Sequence, residues 1–310
     1  ARGRTVDREP VGHLTMTNEA FLETLCAPAG SRPPLIVAEL SGNHNQSLDR
    51  ALRLIDAAAD CGVDAIKLQT YTPDTITLDV ARDEFVVNNP QSVWHGRTLH
   101  DLYAEAHTPW EWHRPMIEHA VRRGLAWFSS PFDFTAVDFL AELGAPCFKI
   151  ASPELVDLPL IRHAARMGRP LVMSTGMAAF AEIGEAVAAA RSAGASEVVL
   201  LKCTTDYPAS PKNSNLRTMS DLARQFDCPS GVSDHTLGLG VAVAATALGA
   251  VLIEKHLTLA RAGVPYGLGL PRRCDLRPRR ARARLRARPP LPLHRRRRAR
   301  GRAAHASEPS

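Results

Sequence analysis

Eight short apolar runs punctuate the chain, separated by stretches whose apolar residues recur at three- and four-residue spacing. The runs are Leu35 to Leu40, Ala65 to Gln69, Leu125 to Ser129, Cys147 to Ile150, Leu171 to Ser174, Val198 to Lys202, Ser230 to Ser233 and Val251 to His256. Strands alternating with amphipathic helices predict a parallel sheet, and eight such units within about 250 residues are the number at which it closes into a (β/α)8 TIM barrel. One predicted helix starts near Ser47, carries Leu48, Leu52, Ile55 and Ala59 on one face, and stops at Cys61-Gly62. Another runs from Phe180 to Ala193, with Ile183, Val187 and Ala190 sharing a face and Gly194 following. Glycine is the usual stop because it accepts the left-handed conformation that ends a helix.

Outside this rhythm the pattern changes. Residues 1–34 have weak periodicity and read as an extended N-terminal lead-in, and residues 35–261 form the barrel. The connection from Thr70 to about Gly124 is far longer than an ordinary loop between strand and helix. It holds Tyr71, Trp94, Tyr103, Trp110 and Trp112 and a helical stretch around Pro115 to Arg122, and it suits either a wall over the barrel mouth or a cover for its side. Residues 262–310 lose all apolar periodicity and become an Arg/Pro-rich tail with an unbroken basic run from Arg295 to Arg298. Such a composition buries too little apolar surface to offset chain entropy, so the tail is expected to be disordered and the barrel to lack a proper final helix. An arginine-rich stretch without lysine also reads as GC-rich coding sequence translated out of frame.

The tail changes the meaning of the net charge. From Ala262 onward 15 Arg stand against Asp275 and Glu308, so this +13 exceeds the chain's +6 and leaves the preceding residues at −7. An acidic barrel argues against nucleic acid as the partner, whereas a basic-tail binder would lose affinity steeply with salt. The six cysteines form no C-x-x-C pair, which suits reduced thiols in a cytoplasmic enzyme. No apolar stretch reaches the roughly 20 residues that cross a bilayer, so no membrane partner is expected.

In a barrel of this kind the active site is built where the strands end. His235 and His256 finish the seventh and eighth runs, adjacent in a closed barrel, so both imidazoles reach one point above the mouth. Two neutral imidazoles with oxygen ligands or water suit Mn2+ or a similar divalent ion, while a lone histidine would more often be a hydrogen-bonded structural residue. Lys67 and Lys149 end two other runs inside apolar sequence, which is costly unless each ammonium meets an anion or a carboxylate. With Ser130, Ser152, Ser174 and Ser233 at the same level they describe a pocket for a small phosphorylated or carboxylated substrate. A Schiff-base aldolase also uses a strand-end lysine, and that alternative stays open. Glu39 either takes a proton and orients water or pairs with a barrel lysine.

The strings AELSGNHN, DAIKLQTYTPDT, AHTPWEW, FSSPFD, FKIAS, MSTGM, CTTDYP, GVSDHTLG and IEKH resemble the bacterial sialic acid synthase family, nearest its pseudaminic acid branch. The resemblance covers about Leu35 to Arg261. It implies a manganese-dependent barrel that condenses phosphoenolpyruvate with an open-chain N-acetylated amino sugar, of the 2,4-diacetamido-2,4,6-trideoxy-altrose type, to a nonulosonic acid and phosphate. Sialic or legionaminic acid synthesis is the alternative within the family. Carried over by motif, His235 and His256 would be metal ligands, and Lys67, Ser130, Lys149, Ser152, Ser174 and Ser233 would hold phosphoenolpyruvate. Gln69, Tyr207 and Glu254 would contact the sugar, with Glu39 and Glu254 the catalytic carboxylates and Glu39 helping to position water. The family's final helix and antifreeze-like domain, which lends an arginine across a swapped homodimer, have no counterpart after Arg261. A truncated or frame-disrupted member, with substrate capture and dimer closure in doubt, is therefore expected.

Overall fold

The computed structural model describes residues 15–88 and 94–260. Eight strands alternate with helices as the pattern predicts: β1 (Leu35–Glu39), β2 (Ala65–Thr70), β3 (Ala126–Pro131), β4 (Phe148–Ile150), β5 (Leu171–Ser174), β6 (Val198–Cys203), β7 (Ser230–Ser233) and β8 (Leu252–His256). All neighbours pair in parallel, and β8 returns to β1 through Leu35 to Leu252 and Glu39 to His256, which closes the barrel. The helices are α1 (Asn18–Leu25), α2 (Leu48–Cys61), α3 (Pro73–Ile76), α4 (Leu99–Ala106), α5 (Trp110–Arg122), α6 (Phe134–Glu142), α7 (Leu158–Ala165), α8 (Phe180–Ala193), α9 (Arg217–Phe226) and α10 (Gly240–Ala247).

Local chemistry sets the helix ends. The Ser47 hydroxyl accepts the Arg50 N–H and opens α2, while Gly62 ends it at φ 74°. Gly194 ends α8 at φ 106°. The outward strand residues Ile66, Trp127, Phe148, Met173 and Leu200 pack with Leu54, Ile55, Leu140, Ile161 and Val187 of the surrounding helices in one buried cluster. At full burial each large apolar side chain contributes about 1.5–3 kcal/mol.

The lead-in is not extended throughout. Residues 18–25 coil into α1, opened by the Thr17 hydroxyl, which accepts the Ala20 N–H at 3.2 Å. Phe21 and Leu25, one turn apart, are fully buried against Leu35, Val37, Ala126, Phe128 and Leu252, the residues that fill the barrel interior beneath the strand ends. Eight residues with two core contacts carry too little periodicity to be read as a helix. Tertiary burial holds α1 in place.

Both placements of the long connection occur. Trp110 stacks on Phe139 of α6 at 4.6 Å and Trp112 packs into the helix-side core, covering the barrel flank. Tyr71, just past β2, sits edge-on to Tyr103 and to Phe132 at the strand ends. Two histidines are buried beside it. His113 meets the Thr70 hydroxyl at 2.8 Å and the Pro109 carbonyl at 3.3 Å, and His44 meets the Thr108 hydroxyl at 3.1 Å. The expected lack of a proper final helix and the expected disordered basic tail concern residues that, together with Arg261, lie outside the described residues. Among the described residues no helix is long and apolar enough to cross a membrane.

Candidate active site

Strand parity decides which strand-end residues meet. Leu35, Val37, Ala65, Phe128, Val172, Leu201 and Leu252 fill the interior, so two residues further on the same faces carry Glu39, Lys67, Ser130, Ser174, Cys203 and Glu254 inward. Lys67 is the hub. Its ammonium pairs with Glu39, lies 3.7 Å from Glu254 and donates to Ser130 Oγ at 3.2 Å. Burial works against its charge, but Glu254 and Glu39 outweigh that and raise its pKa. Burial raises the Glu39 carboxyl above the usual range against the pull of Lys67. It would raise Glu254 as well, but Lys67 and Lys149 hold Glu254 low.

Lys149 is different. It is 2% exposed, and its ammonium donates to the carbonyl of Ile150 at 2.9 Å with no carboxylate within ion-pair distance among the described residues. Burial lowers its pKa. The Ser174 hydroxyl is buried without a hydrogen-bond partner, and so is Glu254 Oε2. A buried ammonium with spare N–H groups on β4 and an unsatisfied hydroxyl on the neighbouring β5 are each expensive unless a ligand such as an anion completes them. Ser152 Oγ accepts the Gly176 N–H at 3.0 Å, a contact that needs glycine. A Cβ there would lie 2.9 Å from Thr205 and 3.0 Å from Ser152 Oγ. Gly231 of β7 is likewise required, since its Cβ would come 2.2 Å from the Leu252 carbonyl of β8.

The two histidines come together above this floor, their ring centroids 5.2 Å apart. Tyr207, 54% exposed, stacks on His235 at 4.1 Å and stands edge-on to His256. His235 Nδ1 lies 2.7 Å from the Thr204 carbonyl, which can only accept, so Nδ1 carries the proton and Nε2 the lone pair. Burial lowers both histidines to about 4, leaving them neutral. Among the described residues no group of three or more histidine, cysteine or acidic side chains is arranged to hold a metal. A divalent ion would therefore take two imidazoles and complete its shell with water or substrate oxygens, a donor set that the chemistry permits.

A family model, NeuB, matches residues 54–265. The chain belongs to the NeuB family. This NeuB-family chain is 42% identical over 228 residues to pseudaminic acid synthase of Helicobacter pylori, covering 74% of this chain and 66% of that one. It is 38% identical over 233 residues to N,N'-diacetyllegionaminic acid synthase of Campylobacter jejuni, covering 73% and 67%. Among solved structures it resembles N-acetylneuraminic acid synthetase of Leptospira borgpetersenii, with a TM-score of 0.72, 27% identity, and coverage of 86% and 92%. The chain thus spans just under two thirds of the length of the Helicobacter relative.

The NeuB barrel brings Glu39, Lys67, Ser130, Lys149, Ser152, Ser174, Ser233, Glu254, His235, His256 and Tyr207 to one mouth, with Gln69 half-buried on β2 beside Ser130. Lys202, a strand-end lysine in the sequence, does not join them. It lies on the outward parity of β6 and donates to Thr204 Oγ1 at 2.6 Å. Its neighbour Cys203 faces inward between Ser152 and Ser233 instead, and burial raises its thiol pKa. Sequence reasoning passed over Ser41 and Asn43, although the SGNHN string held both. Asn43 donates to the Leu257 carbonyl at 2.8 Å and ties the loop after β1 to the end of β8. The Asp234–Lys255 pair was also missed. Its 2.7 Å contact is buried, and Asp234 accepts from the Thr236 N–H and hydroxyl, bracing the loop that carries His235.

Proposed function

We propose that this chain is the catalytic barrel of a nonulosonic acid synthase, condensing phosphoenolpyruvate with an open-chain N-acetylated amino sugar and releasing phosphate. The observation that carries the reading is the buried, incompletely satisfied ammonium of Lys149 on β4 together with the partnerless buried Ser174 hydroxyl on the neighbouring β5. Lys67, Lys149, Ser130, Ser152, Ser174 and Ser233 hold the phosphate and carboxylate. Charge-assisted hydrogen bonds of this kind are worth about 1.5–3 kcal/mol each. The similarity to pseudaminic acid synthases favours a pseudaminic acid precursor as the sugar, which the resemblance implies to be of the 2,4-diacetamido-2,4,6-trideoxy-altrose type.

Gln69, Tyr207 and Glu254 contact the sugar. The exposed ring of Tyr207 offers an apolar face at the mouth, and Glu254 Oε2 offers a free acceptor for a hydroxyl. Glu39, fixed between Lys67 and Ser41, orients the water that adds at C2 and receives its proton. The two lysines stabilise the negative charge that leaves with phosphate. His235 and His256 hold Mn2+ or a similar divalent cation, which when bound polarises the sugar aldehyde as a Lewis acid.

The test is phosphate release assayed with both substrates and with each alone. The reading requires release only when both are present, and release from phosphoenolpyruvate alone would overturn it. A Schiff-base aldolase is the second reading, favoured by the lowered pKa of Lys149, which makes its amine available as a nucleophile. Borohydride trapping of substrate on Lys149 would establish it in place of the first.

A further inference from the structure

Ser41 stands in a conformation that its side chain disfavours. At φ 45° it lies in the left-handed region, where a Cβ crowds the backbone and glycine is the usual occupant. It is buried, just past β1, and its side chain is fully committed. The Ser41 N–H donates to Glu39 Oε1 at 2.8 Å, and the hydroxyl donates to the same oxygen at 2.9 Å. The opposite side of that hydroxyl lies 3.1 Å from His256 Nδ1. A hydroxyl has one proton, and here it goes to a carboxylate oxygen that already accepts a backbone N–H and whose partner oxygen faces the Lys67 ammonium. The contact with His256 then has one possible polarity, with Nδ1–H as donor and Ser41 Oγ as acceptor.

We infer that Ser41 is a positioning residue, a strained serine kept because its hydroxyl links Glu39 to His256 and locks His256 in the Nδ1–H form with the Nε2 lone pair free. His235 reaches the same tautomer through the Thr204 carbonyl, so the two neighbouring imidazoles present equivalent Nε2 atoms by different means. Backbone strain at such a place is tolerated because the surrounding contacts over-determine it. The link also ties the orientation of Glu39 to that of His256, so a carboxylate on β1 and an imidazole on β8 move as one unit. The consequence for a divalent ion rests on the ligand role proposed above, but the tautomer itself does not.

The experiment compares Ser41→Ala with Ser41→Gly in the metal-free protein. Both remove the hydroxyl, while only glycine relieves the left-handed strain, so Ser41→Gly folds more stably than Ser41→Ala. Long-range 1H–15N correlation spectra of histidine-labelled protein assign the His256 tautomer. A single Nδ1–H form in wild type that gives way to the Nε2–H form in both variants is the expected result. Retention of the wild-type tautomer in both variants overturns the inference. Manganese titration then measures the consequence, an expected fall in affinity of roughly 10-fold or more in both variants, the usual effect of removing a partner that orients a ligand. Wild-type protein that ignores manganese would overturn the metal reading alone, since the tautomer is read without metal.

Discussion

At the scale of single residues, function and stability pull against each other most clearly at Lys149. A buried ammonium with one hydrogen bond weakens the fold and serves only when an anion arrives. Lys149→Met keeps the stem and removes the charge, so two effects of opposite sign are expected together. Thermal stability should rise, and phosphoenolpyruvate affinity should fall by about 1.5–3 kcal/mol, on the order of 10- to 150-fold. Calorimetric titration beside a thermal melt checks both, and a variant that loses stability and keeps affinity would make Lys149 structural. A second residue-scale expectation concerns the ion. His235→Ala or His256→Ala should each abolish manganese binding, because the proposed site offers only two protein ligands among the described residues and one imidazole cannot hold the ion against water. Unchanged calorimetric affinity in both variants would remove the metal from the mechanism.

At the scale of elements, α1 offers a direct measurement. Phe21 is fully buried, its ring 5.6 Å from that of Phe128, and it closes the barrel interior from below. Phe21→Ala should cost about 3–5 kcal/mol of stability, read as a lower urea midpoint, while leaving the strand-end site on the far side intact. The eight strands and the helices α2 and α8 were legible because each carries enough periodic apolar residues, with Ser47, Gly62 and Gly194 marking ends. α1 was not, since Phe21 and Leu25 in isolation fit a helix, a strand or a loop, and the third dimension chooses between them. The same limit applied at β6. Sequence placed Lys202 at a strand end, but which of two successive residues faces inward depends on register, and Lys202 turned outward while Cys203 turned inward. Strand-end positions for Lys67, Lys149, His235 and His256 survived because charge or imidazole in an apolar run is rare enough to signal chemistry. Ser41 gave no such signal, since its importance lies in a backbone angle that no residue type announces.

At the scale of the whole molecule, two buried histidines beside Tyr71, outside the proposed ligand set, set a limit on acid stability. His44 and His113 are almost completely buried, and burial lowers each from 6.5 to about 4. His44 meets the Thr108 hydroxyl and accepts the Gln46 N–H, and His113 meets the Thr70 hydroxyl and the Pro109 carbonyl; among the described residues no carboxylate bonds either ring, and the pull of Glu111 on His113 is outweighed by burial. Between pH 4 and 6.5 the unfolded chain binds more protons at these sites than the folded barrel, so stability rises with pH across that window. The contribution is complete above about 6.5 and is lost as pH falls through about 4. A tenfold change in a protonation equilibrium corresponds to about 1.36 kcal/mol, so each histidine should remove about 2 kcal/mol between pH 7.5 and pH 5. That is a large fraction of a typical domain's margin of about 5–15 kcal/mol. Urea melts at the two pH values, in wild type and in His113→Gln, measure the effect. The variant starts less stable at pH 7.5 because it disturbs a packed hydrogen-bonded ring, but its loss on acidification should be about 2 kcal/mol smaller. An equal loss in both proteins would show that His113 titrates in the folded barrel as it does in the unfolded chain, so that its surroundings compensate the charge that burial should exclude.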